Sequence, residues 1–158
     1  MKDHEFIEMK IPAKADYVGV VRLSISGIAS RLGFAYDAIE DLKVAVSEAI
    51  TNAVEHAYNK NGEGEVTIGF GLYQDRLETV VADHGDHFDL NELKGGVGPY
   101  KGSESVEELQ ENGFGLFLID ALMDKLEITN DDGAIVLMTK FLNETEVGVD
   151  DDQIPTTR

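Results

Sequence analysis

Apolar and polar residues alternate near the start of the chain, with Ile7, Met9 and Ile11 on one side, and a period of two predicts a half-buried strand that Pro12 ends. The period then lengthens. From Asp16 to Leu32 the residues Val18, Val21, Ile25, Ile28 and Leu32 recur at three-and-four spacing, and Gly33 follows where a helix-ending glycine belongs. This predicts an amphipathic helix. Asp37, with Glu40 three residues later, has the form of a capping box opening a second helix that runs to about Tyr58 and carries Ile39, Leu42, Val46, Ala49, Ile50 and Ala53 on its core side.

Beyond the polar turn Asn59–Gly64, Val66, Ile68, Phe70 and Leu72 alternate with Thr67, Gly69 and Gly71; Gln74 and Asp75 break the pattern before Leu77–Ala82. Two antiparallel strands are expected. Residues 86–112 hold five glycines or prolines and little periodicity, a length that in a compact domain usually serves as a functional loop or lid. A third helix is predicted from Phe114 to about Lys125, then a strand pair, Leu126–Thr129 and Ala134–Phe141, around the turn Asn130–Gly133. This order predicts an α+β fold, a two-layer sandwich with a mainly antiparallel sheet and helices on one face. Residues 1–142 are read as one domain and 143–158, with Asp150, Asp151 and Asp152, as an acidic disordered tail.

Charge narrows the partners. With 31 acidic and 13 basic side chains in 158 residues, the formal net charge of −18 repels a phosphate backbone, which argues against direct nucleic-acid binding and suits a basic protein partner. No apolar run approaches a membrane span and the charged N-terminal segment does not read as a leader, so a soluble, cytoplasmic protein is expected. Cysteine is absent, which excludes disulfides and thiolate metal sites.

Three segments carry candidate chemistry. In EAITNAVEHA, Glu48 and Asn52 lie four apart and share a helix face. A solvated stripe has the same spacing, but an amide oxygen also suits Mg²⁺, a hard cation, and a carboxylate one turn away can accept a proton from a hydroxyl or orient it. In ADHGD, Asp83 follows Val80, Val81 and Ala82, where it either caps its own turn or accepts a hydrogen bond from a ligand amine such as that of adenine; Gly85 suits both. In NGFGL, Gly113 and Gly115 bracket Phe114 at a helix start, where backbone N–H groups and the helix dipole favour phosphate, though glycines there also act as hinges. Neither a dinucleotide fingerprint nor a P-loop is present.

In this order the segments resemble the GHKL superfamily, whose ATP-binding (Bergerat) fold is shared by gyrase, Hsp90 chaperones, histidine kinases, MutL and anti-sigma-factor kinases. The phrases DLKVAVSEAITNAVEHAY and GFGLFLIDALMD look most like the stand-alone serine-protein kinase branch, the anti-sigma-B group of Gram-positive bacteria. The resemblance implies Glu48 as general base, Asn52 as the Mg²⁺ ligand, Asp83 and Gly85 at adenine, Gly113 and Gly115 at the phosphates, and an ATP lid over about 88–112. Thr139 is similar to the family's hydroxyl near adenine, although β-propensity alone also places threonine on a strand. It further implies ATP and Mg²⁺ as cofactors, a homodimer, and two partners: a stress-response sigma factor held inactive and an anti-anti-sigma factor phosphorylated on serine.

The chain departs from the family pattern at two places. The first glycine motif reads Asp83-His84-Gly85-Asp86-His87, with histidine at the second glycine position. Before the phosphate-loop glycines stand Glu111 and Asn112 rather than a basic residue, which leaves Lys94 and Lys101 as candidates for the γ-phosphate charge. Three readings follow from the residues: a kinase using Glu48 and Asn52, a nucleotide-dependent binding module needing Asn52 alone, and an acidic interaction domain that binds no nucleotide.

Overall fold

The computed structural model describes residues 4–60, 64–83, 98–99, 115–129 and 135–142, with side chains for all of these but 56–60, 98–99 and 129. Strand β1 (Glu5–Pro12) leads through a 3-10 turn (Ala15–Tyr17) into helices α1 (Val18–Leu32) and α2 (Tyr36–Lys60). Strands β2 (Glu65–Leu72) and β3 (Arg76–Ala82) form a hairpin; β4 (Gly98–Pro99), helix α3 (Gly115–Leu122), β5 (Lys125–Thr129) and β6 (Ile135–Phe141) complete the order. The predicted tail, 143–158, lies outside the described residues.

Local signals placed most ends. Gly33 has φ 100° and its N–H reaches Ala29 O and Ser30 O, while the Phe34 N–H also returns to Ala29 O at 3.1 Å. These bonds satisfy carbonyls the helix leaves open, in a backbone conformation that glycine adopts without steric cost. At α2 the capping-box reading is corrected: the Ile39 N–H donates to Ala35 O at 3.0 Å, so the helix starts at Tyr36 and Asp37 stands inside its first turn. There its carboxylate meets the positive end of the helix dipole.

Two other boundaries were decided by pairing. Helix α3 ends at Leu122, three residues before its predicted end, because the next residues are drawn onto β6. The Asp124 N–H donates to Thr139 O at 2.9 Å, and the Asp124 carboxylate accepts from the Phe141 N–H at 2.6 Å. The dipeptide Gly98–Pro99, inside the segment read as a lid, is a short edge strand paired with Ile128 and Glu127 of β5. Proline is tolerated at such an edge because its missing N–H leaves no central ladder broken.

The six strands form one sheet in the order β1-β2-β3-β6-β5-β4, and every pairing among the described strands is antiparallel. One face carries Val66, Ile68, Phe70, Leu77, Val81, Val136 and Met138, packed in a single core with Val21 and Ile25 of α1, Leu42, Val46 and Ile50 of α2, and Ile119 of α3. The alternate residues Val80 and Leu137 belong to a separate cluster. Period-two geometry puts them on the opposite face, which makes the predicted two-layer α+β sandwich. In β2 the residues of both faces are enclosed: Val66–Leu72 are all buried. Burial of polar residues accompanies this on β3 and β6: Glu78 is 4% exposed and Thr139 3%, and Glu78 accepts from Arg76 Nε at 2.9 Å. Among the described residues no helix is long and apolar enough to cross a membrane.

Candidate functional site

Helix α2 presents Glu48 and Asn52 one turn apart, both half-buried, beside the buried alanines Ala45, Ala49 and Ala53. Small side chains on that flank let a second helix approach closely, and α3 packs there. Its first residue, Gly115, is buried against both polar groups. A Cβ at this position would stand 3.0 Å from Asn52 Nδ2, 3.1 Å from Glu48 Oε1 and 3.4 Å from Asn52 Oδ1. A side chain here would crowd the carboxylate and the amide, which would have to shift to make room.

The electrostatics follow from the helix end. The first turn of α3 contains no acidic residue, and the N-terminal end of the helix, where the dipole is positive, lies beside the Glu48 and Asn52 side chains. Such an end can accept a phosphate. The amide oxygen of Asn52 is the type of donor Mg²⁺ takes when phosphates and waters fill the remaining positions.

Asp83 lies one residue beyond β3 and two beyond Val81, which faces the helices in the core; its own exposure is 6%. A carboxylate so buried at a strand end is a strong acceptor for a ligand amine. The β3–β6 register, with Ala82 opposite Ile135 and Glu78 opposite Thr139, sets which residues accompany it. Thr139 is five strand residues away, about 17 Å, and it alternates with Met138 of the helix-facing core, so it belongs to the other sheet face. The structure thus does not bring Thr139 to Asp83. Its carbonyl instead receives the Asp124 N–H beyond the far end of α3. The resemblance pointed to a threonine on the last strand, but a likeness of residue type does not fix that strand's register against β3.

Glu48, Asn52 and Gly115 are brought together. Gly85, Gly113, His84, His87, Lys94, Lys101, Glu111 and Asn112, with the expected lid apart from Gly98–Pro99, lie outside the described residues. Among the described residues no group of three or more histidine or acidic side chains could hold a metal ion by itself.

A family model described as a histidine kinase-like ATPase domain matches residues 11–140, a span that contains every residue of this site. The chain belongs to that family. Similar proteins extend the likeness to the full length. A serine-protein kinase RsbW of Oceanobacillus iheyensis is 58% identical over 158 residues, covering all of both chains. Proteins of the same name from Bacillus cereus and Bacillus thuringiensis are 56% identical over 156 residues, 99% of this chain and 97% of theirs. As a histidine kinase-like ATPase domain, the fold places the Glu48–Asn52 pair of α2 against the first residue of α3.

Proposed function

We propose that this protein is an ATP-dependent protein-serine kinase and anti-sigma factor, which sequesters a sigma factor and phosphorylates an anti-anti-sigma factor on serine. The packing of Gly115 onto Glu48 and Asn52 carries the reading, because it joins a proton acceptor, a metal ligand and an anion-favouring helix end within one contact. The full-length likeness to proteins named serine-protein kinase supports it.

The residues present fit a magnesium nucleotide. Asp83 would hold the adenine amine with Gly85 beside it, Asn52 would hold Mg²⁺, and the N–H groups of Gly113 and Gly115 would hold the phosphates. Bound Mg²⁺·ATP supplies the phosphoryl group and much of the charge neutralisation that its transfer requires. The protein's part is positional and electrostatic. Glu48 accepts the proton of the serine hydroxyl, or orients that hydroxyl by a hydrogen bond, while the end of α3 stabilises negative charge. Competition between the two partners for one chain would set the output, and we place the protein in the cytoplasm as a homodimer.

The direct test is transfer of labelled phosphate from ATP to the anti-anti-sigma protein, with the modified residue located by mass spectrometry. Magnesium-dependent labelling of one serine is the expected result. ATP binding without any transfer would leave a nucleotide-dependent binding module, and neither binding nor transfer would leave an interaction domain alone.

A further inference from the structure

Lys140 lies outside the site and touches both helices that build it. It stands on β6 opposite Leu77, on the helix-facing side, and its side chain is only 15% exposed. Its ammonium donates at 2.8 Å to the carbonyl of Leu122, the last residue of α3, and lies 3.7 Å from the Asp41 carboxylate of α2. A cation this enclosed requires partners. The ones it has are an open carbonyl at the negative end of a helix dipole and a carboxylate.

The spacing of these contacts is informative. Seven residues separate Asp41 from Glu48 along α2, and seven separate Leu122 from Gly115 along α3, about 10 Å of helix axis in each case. The two helices therefore run antiparallel and meet at two levels, with Lys140 at one end and the Gly115 contact with Glu48 and Asn52 at the other. Helix α3 has only eight residues, too short to hold its direction without anchors. The bonds of Asp124 to Thr139 and Phe141 fix the chain after the helix to β6. Among the described residues, Lys140 is the polar link between α2 and α3.

We propose that Lys140 is a positioning residue for the nucleotide site: by tying the C-terminal end of α3 to Asp41 it fixes the approach of Gly115 to Glu48 and Asn52. The inference rests on the nucleotide reading above. Loss of the tie lets α3 pivot on the Asp124 bonds, and the displacement is largest at its N-terminal end, where the phosphates would sit.

The full-length chain is compared with Lys140→Met, Lys140→Arg and Asp41→Asn by hydrogen exchange without nucleotide, by ATP calorimetry with Mg²⁺, and by thermal melting. In Lys140→Met, exchange over 115–122 should quicken about tenfold and ATP affinity should fall about tenfold, the scale of one charge-assisted hydrogen bond. Strands β2 and β3 should keep their protection. Asp41→Asn should show a smaller change of the same kind, and recovery by Lys140→Arg would support positioning over a general loss of stability. Unchanged affinity and exchange in Lys140→Met would overturn the proposal, as would exchange raised evenly across helices and sheet. A wild-type chain that binds no ATP would end the nucleotide reading, and selective exchange in 115–122 would then still decide whether Lys140 holds α3.

Discussion

Gly115 approaches Asn52 so closely that a Cβ on the glycine would stand 3.0 Å from the amide nitrogen. The obstructing atoms are the ends of Asn52 and Glu48 rather than backbone, so an added methyl displaces the groups that would act on a ligand and leaves the fold to adjust around them. Gly115→Ala should therefore uncouple stability from function. Gly115 is not among the positive-φ glycines, so alanine there restricts the unfolded chain, a gain of about 0.4–1 kcal/mol that offsets part of the crowding. The expected outcome is a melting temperature within a few degrees of wild type and ATP affinity lowered at least tenfold, read by calorimetry; unchanged affinity would mean that this contact is not the phosphate end of the site.

Asn52→Ala should abolish the magnesium dependence of ATP binding. Asn52 is half-buried, and trimming it opens space beside Gly115 without stranding a buried charge, so the stability cost should stay near 1 kcal/mol. Titration of ATP with and without Mg²⁺ checks this. A variant whose affinity still rises on adding the metal would remove Asn52 as the ligand.

Glu48→Gln keeps the shape of the side chain and removes its capacity to take a proton. Phosphate transfer should fall by roughly 10²–10⁴, the usual contribution of a positioned general base, while ATP affinity changes only a few-fold. Equal transfer rates in the two proteins would favour the binding-module reading.

Asp83→Asn should weaken nucleotide binding by about 10- to 100-fold, the span expected when a charged acceptor is replaced by a neutral one. Competition between ATP and GTP gives the sharper measurement. The substitution should narrow any preference for adenine, and an undiminished preference would exclude Asp83 as the base-reading residue.

Thr139→Val tests the position that sequence and structure treat differently. Thr139 is opposite Glu78, at the end of β6 away from Asp83, and its side chain belongs to the other face of the sheet. ATP affinity should stay within about twofold of wild type, with a stability change of about 1–2 kcal/mol from replacing a buried hydroxyl. A tenfold loss of affinity at unchanged stability would restore the threonine to the adenine site.

Most features set by local geometry were legible along the chain, the start of α2 excepted. Period three-and-four spacing marked both long helices, Gly33 marked the end of α1, period-two runs marked β1 and β2, and apolar runs between turns marked β3 and β6. The pairing of Glu48 with Asn52 was legible for the same reason, since residues four apart on a helix are neighbours whatever the rest of the chain does. Motif order also identified the family, which the match over residues 11–140 bears out.

Tertiary structure decided the relations between segments distant in the chain. The contact of Gly115 with Glu48 and Asn52 joins residues more than sixty positions apart, and no spacing rule reaches that far. The early end of α3 and the edge strand at Gly98–Pro99 arose because unmet backbone donors and acceptors of β5 and β6 were satisfied by pairing. The misplacement of Thr139 has the same origin. A strand's pattern fixes which residues alternate, but its register against a partner is set by the packing of the whole sheet, and that register put Ile135 rather than Thr139 at the Asp83 end.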